Sequence, residues 1–380
     1  MAKKKIIIVY QYFGTRKSKW SSRWYDFSLE LQKNNYDVTV LTSNFIRSDL
    51  KKVMYPEKLK IEGINVEILP FGDGNNLSIF NRIINSLLFS FTASLRIFFS
   101  KFDNYIFSVG PITAAIPSLF VKKSKTIVEF RDLWPEGGFE MKKIPIITKP
   151  FLFFLQKLII RKSKQIITCS PAQKVKLLKT YPNANINVIQ HGIDNQFLKS
   201  KICPEDNLTK NNYWTVVATL GYIHNPWKWI SLSNRIKNID KSVIIVLIGT
   251  GPLENKLKKH INLKQIDNLI ILGGLNKKQL SKWICKSEFC LFSTLNNQVQ
   301  LSSAPNKIYD YIAHKKHTLI DLNMWLLSEF KGIIWKLDFD KITKGELTEI
   351  RNLTSKINES KFDTYISKLK RSKLVNKFDL

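Results

Sequence analysis

The run Val243-Ile244-Ile245-Val246-Leu247-Ile248, followed by Gly249-Thr250-Gly251-Pro252 and then Leu253 to Lys259, limits what this chain can become more than any other stretch. An unbroken aliphatic run of that length has the make-up of a strand buried on both faces. The glycines after it let the backbone turn sharply and approach a neighbour closely. A helix starting directly after the turn points its unpaired N–H groups at the strand end, where phosphate is favoured. Lys5 to Leu31 shows the same strand-turn-helix order near the start. One such start in each half predicts two parallel α/β sheets, each with a ligand-facing edge.

The rest of the chain keeps the alternation. Apolar strand runs are predicted at 6–10, 37–41, 66–69, 105–108, 126–130, 165–168 and 187–190, with a helix over 23–34. A polar stretch with Pro204 and clustered Asn and Lys interrupts the pattern, which restarts at Trp214 and continues through 243–248, 269–272, 289–292 and 318–320. The reading is an α/β protein of two Rossmann-like domains with parallel sheets facing across a cleft. They span 1–195 and 213–360, with a linker at 196–212 and a basic helix at 361–380 that packs back on the first domain.

The charge is the next constraint. Sixty basic and thirty acidic residues leave a formal +30 over 380 residues, which points to polyanionic surroundings: nucleic acid, anionic lipid or phosphorylated ligands. Hydrophobic residues make up 44% of the chain, enough to exclude a disordered protein. Cys169, Cys203, Cys285 and Cys290 have no C-x-x-C or metal spacing and fit reduced cytoplasmic thiols. The start shows no signal-peptide core, and no segment has the apolar length of a spanning helix. Leu77 to Ser100 comes nearest. It is interrupted by Arg82 and Arg96 and places Phe80, Ile84, Leu88, Phe91, Leu95 and Phe98 near helical spacing. Such a helix either packs its stripe on its own sheet or lies in a membrane interface.

Several motifs point one way. They are Ser21-Ser22-Arg23-Trp24-Tyr25, Val128 to Glu136 with Arg131-Asp132 at its centre, Gln190-His191-Gly192-Ile193-Asp194, the glycine turn at 249–252, and Pro305 to Ala313. In this order and spacing the chain resembles, along nearly its whole length, the glycosyltransferases of family 4, which have the GT-B fold. The closest look is to bacterial enzymes that build surface polysaccharides. Nucleoside triphosphatase, zincin and α/β-hydrolase signatures are all missing. Asp338-Phe339-Asp340 reads as a loop.

The resemblance implies retaining transfer from a nucleotide sugar, UDP before GDP, with the leaving diphosphate stabilised by cations and helix N-termini rather than by a metal. No cofactor is implied, the nucleotide sugar being a substrate. Lys228 matches the family's donor-phosphate lysine, while Tyr222 stands where an arginine is usual. Asp310 matches the second of two family glutamates, and Ser302 stands in place of the first, eight residues earlier. Ser303, Asn306 and Lys307 then offer N–H and cationic contacts to the diphosphate. Gly14, Gly249, Gly251, Leu272 and Gly273 are expected at the donor through backbone approach. Arg131 and Asp132 are expected at the sugar or acceptor. The implied acceptor is a polyprenyl-diphosphate-linked saccharide at the inner face of the cytoplasmic membrane. Arg16, Lys17, Lys19, Arg82 and Arg96 are the cations expected toward acceptor and anionic membrane surface. An inactive partner subunit and a nucleic-acid-binding protein are the alternatives.

Overall fold

The computed structural model describes residues 3–18, 23–43, 50, 53–71, 79–141, 144–199 and 213–380, without the side chains of 79, 80, 82, 198 and 199. The chain divides into two compact units. The first comprises Met1–Gly192, Ser302–Ala304 and Arg371–Leu380; the second comprises Ile193–Leu301 and Pro305–Lys370.

The first unit is built on eight strands: β1 (Lys4–Val9), β2 (Tyr36–Ser43), β3 (Glu57–Ile61), β4 (Ile64–Leu69), β5 (Asn104–Val109), β6 (Thr126–Phe130), β7 (Gln165–Thr168) and β8 (Ile186–Val188). Their order is β3-β4-β2-β1-β5-β6-β7-β8. Ile6 pairs with Val38 and Ile8 with Ile106, both in parallel ladders. The apolar runs are buried because helices cover both faces of a sheet wound this way. The order reverses at β1, whose neighbours β2 and β5 send their connections to opposite sides and open a crevice at the strand ends. β3 departs from the parallel expectation. It is an antiparallel edge strand joined to β4 by Glu62 and Gly63, both at positive φ (45° and 86°), the twist a tight hairpin requires.

The helix Arg23–Lys33 closes one face of this sheet, sealed by the last residues of the chain. Phe378 lies 5.6 Å from Trp24 and 5.5 Å from Phe27 between ring centres, and Arg371 pairs with buried Asp26 at 2.5 Å. The basic helix expected over 361–380 is divided. The helix Ser360–Leu369 belongs to the second unit and stops where the Leu369 carbonyl accepts from Ile193 N at 2.9 Å. Arg371–Leu380 belongs to the first unit.

The second unit holds β9 (Tyr213–Val217), β10 (Ile244–Ile248), β11 (Leu269–Gly273), β12 (Phe289–Phe292), β13 (Thr318–Ile320) and β14 (Ile334–Lys336), ordered β11-β10-β9-β12-β13-β14 and all parallel. Here the order reverses at β9. Its core gathers Trp214, Val216, Trp229, Ile245, Leu247 and Leu291. Cys169 and Cys290 are buried free thiols. Cys285 is disulfide-bonded, against the expectation of four reduced thiols, because pairing follows which loops meet in space and spacing does not encode that. Among the described residues no helix is long and apolar enough to cross a membrane.

Candidate active site

In the second unit the glycine turn is fixed by a neighbouring loop. A Cβ on Gly249, at φ +148°, would lie 1.8 Å from the Ala218 carbonyl oxygen, and one on Gly251 would lie 2.3 Å from that of Leu220. The chain after β10 therefore runs flush against the chain after β9. Ala218 N bonds Ile248 O, Leu220 N bonds Thr250 O, and Leu253 N bonds Leu220 O, each at 3.0 Å. Gly249 N bonds Gly273 O at 2.7 Å, which ties in the end of β11 beside Leu272. These glycines thus align three strand ends, and the helix Glu254–Leu263 starts from that platform.

The loop leaving β9 carries Tyr222, exposed, and His224, half-buried, before the helix Trp227–Ile239. Lys228, in the first turn of that helix, donates its ammonium to Asp321 at the end of β13. Ser293, after β12, donates to the same Asp321 oxygen at 3.1 Å. Asp340 stands 3.9 Å from the Lys228 nitrogen. The loop 338–340 thus approaches the lysine from another side.

Lys307 lies in the first turn of the helix Asn306–Ala313, with its Nζ 3.2 Å from His224 Nε2. The other ring nitrogen of His224 is 3.4 Å from Ser293 O. This arrangement fits a neutral ring protonated at Nδ1, and burial with Lys307 nearby pushes the His224 pKa down to about 3. Burial likewise brings Lys307 down to about 8, with Asp310 opposing. The helix is anchored through Tyr311, whose hydroxyl accepts from Val217 N at 2.9 Å. Asn306 Oδ1 is buried with no hydrogen-bond partner. Two lysines, an exposed tyrosine and an open acceptor therefore gather at the ends of β9, β12 and β13. Ser302–Ala304 is grouped with the first unit, where Ser170 Oγ donates to Ser302 O at 2.5 Å.

In the first unit, Arg131 donates to the Tyr10 hydroxyl, with its guanidinium 5.3 Å from that ring centre, while Asp132 is exposed. The Arg131 guanidinium is thus held on an aromatic ring beside Asp132. Behind them lies a network that sequence reading did not single out. Glu129, fully buried, pairs with Arg23 at 2.6 Å and accepts from Trp24 Nε1 at 2.8 Å and Ser108 Oγ at 2.6 Å. Arg23 also donates to Gln190 O at 2.8 Å and Ile189 O at 3.0 Å. Three of the sequence motifs are thus parts of one buried salt bridge and the hydrogen bonds around it. His191 is held neutral by burial and by Arg23, Arg131 and Arg371 around it. Gly14 is buried in the loop after β1, where the neighbouring Gln11 has a buried amide with no hydrogen-bond partner.

Two of the expected outward cations are engaged internally. Arg16 lies 3.8 Å from Asp26 and over the Tyr25 ring. Arg96 makes a two-pronged pair with Glu67 at 2.7 and 2.8 Å. Lys17 is exposed. Lys19, the Arg82 side chain, Ser21-Ser22 and linker residues 200–212 lie outside the described residues.

No family model matches the sequence, and no curated protein matches it. Solved structures do. A structure described as trehalose-6-phosphate from E. coli bound with UDP-2-fluoro glucose matches at TM-score 0.70 and 9% identity, over 98% of this chain and 97% of that one. A trehalose-6-phosphate synthase studied for glycosyltransfer with retention matches at 0.71 and 10%, over 98% and 97%. WaaG, a glycosyltransferase involved in lipopolysaccharide biosynthesis, matches at 0.60 and 10%, over 99% and 96%. The chain has the α/β fold of the GT-B glycosyltransferases.

Proposed function

We propose that this protein is a retaining, metal-independent glycosyltransferase. It moves a hexosyl or N-acetylhexosaminyl unit from a UDP-sugar to a polyprenyl-diphosphate-linked saccharide, at the inner face of the cytoplasmic membrane, in O-antigen or capsule synthesis. The observation that carries the reading is the convergence of Lys228, Lys307 and the glycine-aligned strand ends at the reversal point of the second sheet. Open α/β sheets bind ligands there, and an anionic leaving group needs fixed cations there. The fold's neighbours add to it: one holds a UDP-sugar analogue, one is discussed for retention, and one belongs to lipopolysaccharide synthesis.

In this reading the bond between the sugar C1 and the donor's diphosphate oxygen breaks as an acceptor hydroxyl attacks C1 from the same face. The hydroxyl's proton passes to the departing diphosphate, giving nucleoside diphosphate and the new glycoside. No second carboxylate is needed, in contrast to glycoside hydrolysis. Lys228 and Lys307 neutralise the diphosphate, and Asp310 holds the ribose hydroxyls. The first unit takes the acceptor, with Arg131 and Asp132 toward it.

A second reading, an inactive partner subunit, draws on one observation: Lys228 is neutralised by Asp321 in the free protein. Calorimetry with UDP and GDP in chelator, beside Lys228→Ala, tests both. Micromolar UDP binding weakened by the substitution, with sugar transfer from a UDP-sugar panel to a polyprenyl-diphosphate saccharide, supports the enzyme. Binding without transfer supports the partner subunit, and no binding of either nucleotide removes the enzyme reading.

A further inference from the structure

The helix Ile79–Phe98 is inside out. Its inward side is small and polar: Ser86, Ser90, Ala93 and Ser94 are buried, with Phe89 and Ile97. Ser86 Oγ bonds Thr113 Oγ1 at 2.6 Å and Ser90 Oγ bonds Thr113 O at 2.7 Å, so the helix seats on the segment Ile112–Phe120 through hydroxyls. Its outward side carries the stripe read from the sequence. Phe91, Phe98 and Phe99 are 62%, 66% and 80% exposed, with Ile84, Leu88 and Leu95 between them. The helix Lys149–Arg161, seated on the same segment, adds exposed Phe151 and Phe154, and Ile146 and Ile147 precede it. A soluble surface seldom exposes this many large apolar side chains on two helices seated on one segment unless something covers them.

We infer that this face inserts into an anionic bilayer. The charge around it selects that occupant: residues 104–128 and 141–193 contain no Asp or Glu, while Lys122, Lys123, Lys149, Lys157, Arg161 and Lys162 stand exposed there. A second copy would set this cationic face against itself, which is repulsive. Anionic headgroups complement it, and acyl chains take the aromatic stripe. The inference deepens the membrane part of the proposed function and specifies apolar insertion beyond charge attraction.

The test is co-sedimentation of the full chain with phosphatidylcholine vesicles and with vesicles containing phosphatidylglycerol, at low and high salt, beside a Phe91→Ser/Leu95→Ser/Phe98→Ser variant. All three side chains are exposed, so UDP binding and thermal unfolding should match the parent and report intact folding. The expected result is binding that prefers phosphatidylglycerol, keeps a salt-resistant part, and falls at least tenfold in the variant. A parent that ignores both vesicles, a variant that binds like the parent, or a parent dimer that the substitutions dissociate would overturn it. Vesicle binding without UDP binding would leave this surface standing while the donor site fell.

Discussion

The ammonium of Lys228 is held by the carboxylate of Asp321, although the two sit on different elements and 93 residues apart. The Lys228 side chain is 18% exposed and that of Asp321 only 2%. One Asp321 oxygen takes both Lys228 and Ser293, and the other, Oδ1, is buried with no hydrogen-bond partner. Burial raises the Asp321 pKa, opposed by Lys228 and Ser293. A lysine in this setting is pre-oriented at the strand ends, and any diphosphate that reaches it meets an anion already there.

Asp321→Asn keeps the shape and the Ser293 contact but removes the competing charge. UDP should then bind about threefold to tenfold more tightly, since a like charge beside an anion site weakens it. Lys228→Ala should weaken binding by about tenfold or more, the scale of one charge-assisted contact. Calorimetry reads both. Weaker binding in Asp321→Asn would instead make Asp321 a positioning residue for the lysine.

Lys307 gives the site a pH dependence. Its pKa is brought down to about 8 from 10.5, so its ammonium is the main form below pH 8 and its amine above. UDP affinity should therefore fall as pH rises through about 8, where an ordinary lysine would stay charged. Folding stability runs the other way. The folded state holds this proton less tightly than the unfolded chain, so the contribution is full above the unfolded value and is lost as pH falls through about 8. His224, at about 3, stays neutral throughout. Affinity measured from about pH 7 to 9 should slope downward in the parent and flatten in Lys307→Met. A flat parent profile would place Lys307 away from the diphosphate.

The strands were legible where apolar residues run without a break, as at Ile6–Val9 and Ile244–Ile248, because burial on both faces leaves no room for polar alternation. β3 was not, since Lys58 and Lys60 alternate with Leu59 and Ile61 on an edge strand with one wet face. β14, only three residues long, gave no periodic signal. Lys228 and Lys307 stood out through resemblance, but their partners did not. Asp321 and His224 meet them through strand ends that only the sheet order brings together. The stripe on Ile79–Phe98 was visible as a pattern. Its direction depended on Ser86 and Ser90 finding Thr113, a contact between elements that periodicity does not contain.

The glycine turn offers a prediction that separates packing from ligand contact. Alanine at Gly249 or Gly251 would push a Cβ into the backbone of Ala218 or Leu220, and backbone at a strand end has nowhere cheap to go. Each substitution should cost about 3 kcal/mol or more, in the range of severe overpacking. Gly345, in the first turn of the helix Lys344–Ser355, has nothing within 4 Å of its added Cβ, and alanine there should stabilise by about 0.5–1 kcal/mol. Urea unfolding followed by fluorescence and by circular dichroism would show whether the second unit moves alone, as two separate cores allow. If Gly249→Ala unfolds like the parent yet loses UDP binding, the glycine serves the ligand. If it loses stability and binding together, its part is to hold the ends of β9 and β10 flush, and the phosphate site exists because that alignment does.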